Sequence, residues 1–208
     1  MARLLHIESS PRKDRSASIE LARFFEEEYM KRHPGDRVET LDLWHTKLPE
    51  FDGETINAKY AILHGLSHTP AQRKAWQTVV ETFEQFRSAD KFLFSVPMWN
   101  FGIPYKLKHY VDIITQPTLS FSYSETTGYQ GLVTGKPVAV IYARGGGYSD
   151  PESAPYDKQK PYVEDWLRFI GFTTIHPILV EPTLADPADV AKAKAAAREA
   201  VLRVLAQF

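Results

Sequence analysis

Three stretches hold the residues able to do chemistry in this chain. The first is Ser9-Ser10-Pro11-Arg12-Lys13-Asp14-Arg15-Ser16-Ala17-Ser18, a polar, hydroxyl-rich and mildly basic run leading into a predicted helix. The hydroxyls of Ser10, Ser16 and Ser18, together with the open N–H groups and positive dipole end of a helix start, can hold a phosphate monoester without a metal. The second is Pro97-Met98-Trp99-Asn100-Phe101, two large flat rings around one amide, with Gly102 and Pro104 fixing the backbone behind them. Rings and amide can cover and hydrogen-bond a planar heterocycle. The third is Arg144-Gly145-Gly146-Gly147, where the missing Cβ atoms let backbone amides approach the edge of a flat ligand closely. Each stretch also has a purely structural reading: Ser16 as an N-cap, Ser9 and Ser10 as turn residues, and the glycines as a flexible turn.

The elements that must position these stretches are strands. Arg3 to Glu8 precedes the serine run, Phe92 to Val96 precedes the aromatic loop, and Pro137 to Ala143 precedes the glycines. The second and third of these strands are nearly continuous in apolar residues, which suits parallel strands covered on both faces. Pro97 ends its strand because it has no amide hydrogen to donate. Arg37 to Leu43 alternates as an edge strand does, and Thr173 to Val180 carries Pro177, an opposite-edge feature. Helical patterns lie between the strands: from Ser16 with Ala22, Phe25 and Tyr29 on one face, across 54–88 with a break near Thr69-Pro70, over 104–115, and from Asp186-Pro187 to the end. The helix after Pro161 places Val163, Leu167 and Ile170 on one side and Tyr162, Trp166 and Phe169 on another, more apolar face than one sheet contact uses. A hairpin is expected from Leu119-Ser120-Phe121-Ser122-Tyr123 through a turn at Gly128, on the ligand side of the sheet, and 149–161 reads as a mobile flap.

These elements predict one α/β domain over residues 1–208, a flavodoxin-like three-layer sandwich whose five-stranded parallel sheet has the order 2-1-3-4-5 with an inserted hairpin. The three chemical stretches follow its three central strands and converge at the switch point. A phosphate holder without the Walker lysine pattern, an aromatic floor and amides at a far edge together read as a flavin site. The glycine amides would face the negative charge that flavin N1 and O2 acquire on reduction.

Composition narrows the function further. With 208 residues, a net charge of −1 and no cysteine, the chain gives no electrostatic reason to bind nucleic acid or an anionic membrane, and it has no thiolate chemistry. His6 and Glu8 interrupt the first apolar run before it resembles a signal-peptide core, and no run reaches the ~20 apolar residues of a membrane helix, so a cytoplasmic location is expected. His64 and His68 stand four apart in a helical stretch, but no glutamate of a zinc-protease pattern lies between them and no third ligand is evident. There is no G-x-G-x-x-G after the first strand and no G-x-S-x-G elbow. A cofactor supplying the reaction is therefore expected.

The ordered set Ser-Ser at 9–10, Ser-x-Ser at 16–18, Pro-Met-x-Asn-Phe at 97–101 followed by Gly-Ile-Pro, Phe-x-Tyr at 121–123, Gly-Leu-Val-Thr-Gly-Lys at 131–136 and Arg-Gly-Gly at 144–146 resembles the FMN-dependent NADH-azoreductases, also called FMN-dependent NADH:quinone oxidoreductases. The resemblance spans first strand to last helix. It implies FMN held by Ser10, Ser16, Ala17 and Ser18 at the phosphate, by Pro97, Met98, Trp99, Asn100 and Phe101 along the isoalloxazine, and by Ala143, Arg144, Gly145 and Gly146 at its far edge. It implies a homodimer with a pocket completed by the partner subunit, which gives Phe121, Tyr162 and Trp166 a place in the substrate pocket. The activity implied is two-electron, ping-pong transfer from NADH or NADPH to quinones and azo compounds, with hydride passing to flavin N5 and no catalytic side chain. Two positions depart from the family pattern: Trp99 replaces a common tyrosine, and Ala17 replaces a polar residue. The competing expectations are a flavodoxin-type electron carrier, which the near-neutral charge and Arg144 at the flavin edge disfavour, an FAD-dependent relative, and a binding module without turnover.

Overall fold

In the computed structural model, which describes all 208 residues, the chain forms the expected doubly wound sandwich. Five parallel strands, β1 (Arg3–Glu8), β2 (Arg37–Asp42), β3 (Lys91–Pro97), β6 (Val138–Ala143) and β7 (Ile175–Val180), lie in the order β2-β1-β3-β6-β7. In sheet numbering that is 2-1-3-4-5. Because successive strand residues face opposite sides, the sheet feeds two cores. Phe92, Phe94, Val96, Val138, Val140 and Tyr142 pack under α3 (Pro70–Arg87), α4 (Tyr105–Ile114) and α5 (Lys160–Ile170). Leu4, Leu93, Ala139 and Ile141 pack under α1 (Ala17–Arg32) and α6 (Pro187–Leu205). Full burial of each such side chain is worth about 1.5–3 kcal/mol, so the two cores fix the strand ends on which the site rests.

The helix starts are not alike. At α3, the Gln72 amide donates to Thr69 Oγ1 at 3.1 Å and the Thr69 amide to Gln72 Oε1 at 2.9 Å, a complete capping box. At α2 (Gly53–Leu63), the Thr55 amide donates to Asp52 Oδ1 at 2.9 Å. Ser16 occupies the N-cap position of α1 but makes no capping bond, and Asp186 likewise makes none at α6. The start of α1 is thus left open.

Four expectations are corrected. His64 and His68 share no helix, because α2 ends at Leu63 and α3 begins at Pro70. Trp166 is not on a surplus face: it is 7% exposed, meets Phe94 edge-on at 5.9 Å and donates from Nε1 to Thr115 Oγ1 at 2.9 Å. The base of the hairpin, β4 (Phe121–Ser124) with β5 (Gly128–Gly131), lies at the opposite end of the sheet from the three loops. Helices of this fold return from the carboxyl to the amino ends of the strands, so α4 delivers the chain to the amino end, where the Val133 amide bonds to the Ile170 carbonyl at 2.9 Å and a Cβ at Gly131 would meet the Gly171 amide nitrogen at 2.3 Å. Finally, 149–161 is pinned rather than free at its second half, where Gln159 is wholly buried and donates to the Val96 carbonyl at 2.9 Å.

Candidate cofactor site

The loops after β1, β3 and β6 meet around a cavity of about 360 Å³. Ser10, Ser16, Ala17, Pro97, Met98, Trp99, Ala143 and Gly145 line it, which brings together eight of the residues singled out in the sequence. Its size falls in the range of small-molecule sites.

One end is a cradle for an anion. Ser10, Ser16 and Ser18 are buried, and the Ser16 and Ser18 hydroxyls lie 3.1 Å apart. The amides of Ala17, Ser18 and Ile19 have no acceptor within the chain; the first internal bond of α1 is Glu20 to the Ser16 carbonyl, 2.9 Å. Three convergent donors at a positive helix end, with hydroxyls beside them, suit a phosphate. Arg12 and Arg15 line the same end, and neither guanidinium is paired with a carboxylate. Ser9 is not part of the cradle, since its hydroxyl donates to the Ser95 carbonyl at 2.7 Å. Lys13 anchors the loop by ion pairs to Glu8 and Asp42 at the ends of β1 and β2. Burial pulls the Lys13 ammonium down, but its bonds to Asp42 and Glu8 outweigh that and hold it above its ordinary value. Burial pushes Asp42 up, but Lys13, His45 and the Trp44 amide together hold it below the usual range.

The other end is the aromatic turn. Trp99 and Gly102 exchange two backbone bonds, 3.0 and 2.9 Å, closing a two-residue turn in which Asn100 and Phe101 have φ of 47° and 69°. Consecutive left-handed residues are the geometry usually given to Asn-Gly, and a phenylalanine there is strained by about 1–2 kcal/mol. Such strain persists where the surroundings over-determine it. The turn leaves the Asn100 and Phe101 amides and the Asn100 side chain without partners, facing solvent. Trp99 packs against Trp44 at 5.7 Å, and Trp44 donates from Nε1 to the Ser9 carbonyl at 2.9 Å, so the aromatic and serine loops brace each other.

Across the cavity, the amide of Gly145 also lacks an acceptor within the chain, as do those of Gly146 and Gly147 just outside the lining. Arg144 departs from its expected role. It is 2% exposed, and its guanidinium donates to Gln159 Oε1 (2.9 Å), Glu181 Oε2 (3.1 Å) and Asp157 Oδ2 (2.8 Å). Its amide donates to the Val180 carbonyl and its own carbonyl accepts from Thr183. Arg144 is therefore buried, bonded to other parts of the chain and absent from the cavity lining.

Phe121 and Tyr162 are not brought to this cavity within one chain: Phe121 lies against Phe169 at 4.8 Å, and Tyr162 packs half-buried against the core on α5. Burial pushes the Tyr162 hydroxyl up to about 12. Eight further lining residues were not singled out in the sequence: Arg12, Asp14, Arg15, Glu20, Thr183, Leu184, Val190 and Lys194. Arg12, Asp14 and Arg15 belong to the polar loop after β1 and Glu20 to the first turn of α1, so their neighbourhood carried a signal; the other four reach the cavity only through the placement of the edge strand β7 and of α6.

A family model of the flavodoxin-like fold matches residues 2–205. An FMN-dependent NADH:quinone oxidoreductase of Desulfotalea psychrophila is 52% identical over 198 residues, covering 95% of this chain and 93% of that one. The solved structure of an azoreductase from Bacillus anthracis superposes with a TM-score of 0.92 at 29% identity, covering 100% of both chains. An FMN-dependent NADH-azoreductase of Bacillus anthracis, solved in complex with FMN, superposes with a TM-score of 0.87 at 28% identity, covering 99% of this chain and 100% of that one.

Proposed function

Because the chain belongs to the flavodoxin-like family of FMN-dependent NADH:quinone oxidoreductases and is an FMN-dependent oxidoreductase, we propose that it transfers two electrons from NADH or NADPH to quinones and azo compounds by a ping-pong sequence. The observation that carries the reading is one cavity with amides lacking internal acceptors at its loops: Ala17, Ser18 and Ile19 at the start of α1 beside three buried serines, and Gly145 on the opposite wall, with Pro97, Met98 and Trp99 between them. These residues fit FMN, whose dianionic phosphate needs donors and whose tricyclic ring needs a flat apolar surface with amides at its rim. FMN bound there would supply the redox chemistry, a two-electron transfer between nicotinamide and acceptor.

The chain's own part is binding and electrostatics. Ser10, Ser16, Ala17 and Ser18 hold the phosphate, with Arg12 and Arg15 adding positive charge. Pro97, Met98, Trp99, Asn100 and Phe101 would position the ring, and Ala143, Gly145 and Gly146 would hold its far edge, where N–H groups would favour the electron-rich form. No protein side chain is required as nucleophile or general base. Phe121, with Tyr123, Tyr129 and Phe169, forms an exposed aromatic patch, and we assign it to a homodimer contact in which Phe121 and Tyr162 serve the partner's pocket. No helix is long and apolar enough to cross a membrane, and we place the enzyme in the cytoplasm.

Anaerobic titration of the FMN-reconstituted protein with NADH tests the proposal. About one equivalent should bleach the visible flavin band, and a quinone added afterwards should restore it. Bound flavin that neither NADH nor NADPH bleaches would refute it.

A further inference from the structure

Arg144 bridges three elements without touching the cavity, and we infer that it is the positioning residue that sets both amide-bearing loops of the cofactor site at once. Its three guanidinium bonds reach Gln159 and Asp157 in the loop before α5 and Glu181 at the end of β7. Gln159 extends the tie to the last interior residue of β3 through the Val96 carbonyl. Asp157 Oδ1 in turn accepts from the Gln159 and Lys160 amides, both at 3.0 Å, closing a tight turn around Lys158. The Lys158 amide donates to the Phe101 carbonyl at 2.9 Å, and Tyr156 lies 5.6 Å from the Phe101 ring. A continuous chain of bonds therefore runs from the guanidinium to the strained turn at Asn100–Phe101. On its other side, the Arg144 carbonyl holds the Thr183 amide and hydroxyl at 2.8 and 2.9 Å, and the Gly145 carbonyl holds the Leu184 amide at 3.0 Å, which fixes the path of Gly145 to Gly147.

The chemistry of the group fits this task. A guanidinium offers a rigid planar fork of donors and stays charged when buried, so it can orient three acceptors in one plane as an ammonium cannot. The cluster holds one cation and two largely buried carboxylates, and Ser149 Oγ supports the second carboxylate at 2.9 Å. The strained Phe101 conformation needs an external restraint, and the only backbone bond to its carbonyl comes from the segment that Arg144 anchors.

The inference rests on FMN as the ligand, and its test separates the two. Arg144→Lys keeps a charge beside Asp157 and Glu181 but loses the fork, and Asp157→Asn keeps the Oδ1 acceptor but loses the charge. Dissociation constants for FMN and for riboflavin, which lacks the phosphate, are measured by flavin fluorescence for wild type and both variants, with hydrogen exchange of the Trp99, Gly102 and Lys158 amides in the flavin-free proteins. Arg144→Lys should weaken FMN and riboflavin by the same factor, about 10-fold to 100-fold, and speed exchange at all three amides about 10-fold or more; Asp157→Asn should act in the same direction with a smaller size. Unchanged affinity with unchanged exchange would overturn the inference, and so would a loss confined to FMN, which would make Arg144 a phosphate contact. A stability role alone would lower the melting temperature of Arg144→Lys without moving either readout at 25 °C. If wild type binds no flavin, the proposed function fails, and the exchange rates still decide the role of Arg144.

Discussion

Replacing Ala17 by proline removes one donor from the proposed phosphate cradle and should leave the fold intact. Ala17 is the first helical residue of α1, and its amide has no acceptor in the chain, so proline costs no internal bond there. Ser16 before it has φ −96° and ψ 118°, the extended conformation that a following proline requires. The restricted unfolded chain should raise stability by about 0.4–1 kcal/mol, an increase of roughly 1–3 °C in Tm for a chain of this size. A hydrogen bond to a charged group is worth about 1.5–3 kcal/mol, so the Kd for FMN should rise roughly 10-fold to 150-fold, while the Kd for riboflavin moves little. Fluorescence titrations with both flavins, beside thermal melts, give the comparison. An unchanged FMN Kd in a normally melting variant would remove the first turn of α1 from the phosphate site; equal losses for both flavins would show that the lesion is not phosphate-specific.

A side chain at Gly146 meets nothing within 4 Å in the chain, so Gly146→Val should keep its Tm yet lose at least about 10-fold in FMN affinity by crowding the ring's edge; normal FMN content and turnover would take this loop out of the site. Trp166→Phe should lower stability by about 1 kcal/mol through the lost bond to Thr115 and leave acceptor KM unchanged, whereas a KM shift at constant Tm would return Trp166 to the pocket. The Asp42 carboxyl is held below 3.8, so its contribution is present above the unfolded value and is lost as pH falls through the folded one; the Lys13 ammonium is held above 10.5, so its contribution is present below that value and is lost as pH rises past the folded one. Lys13→Met should therefore flatten both the acid and the alkaline limbs of Tm against pH, and parallel curves for variant and wild type would show that the network adds no pH-dependent stability.

The sheet order and the three loops that meet at the cavity were legible in the sequence because strand burial and chain punctuation are local signals. Phe92 to Val96 is apolar on both faces only if helices cover both, and Pro97 has to end the ladder where it stands. What failed was side-chain direction and the placement of inserted segments. On α5, Trp166 follows Val163 by three positions and therefore shares the inward face with it, although grouping it with Tyr162 and Phe169 is equally consistent with helical spacing. The hairpin fell on the wrong end of the sheet because its position depends on where α4 ends, which is a tertiary fact. Thr183, Leu184, Val190 and Lys194 carry no local mark of a site, since their contribution depends on the packing of β7 and α6.

Arg144 shows how a residue beside a motif can have side-chain partners that the motif does not announce. In sequence, a cation next to three glycines at a strand end reads as a ligand contact, because glycines admit a ligand and cations are usually exposed. In the structure the guanidinium instead meets partners 13, 15 and 37 residues away, Asp157, Gln159 and Glu181, none of which has a spacing that announces a link to Arg144. The glycines depend on the arginine for a mechanical reason: their three amides have no internal acceptors, so their alignment comes from the carbonyls of Arg144 and Gly145, which hold Thr183 and Leu184, and from the bonded arginine beside them. The same logic applies at Phe101, whose free amide and left-handed backbone are stabilised from outside through Lys158. Open donors and the buried, bonded residue that aligns them are thus two halves of one device, and only the first half is written in the local sequence.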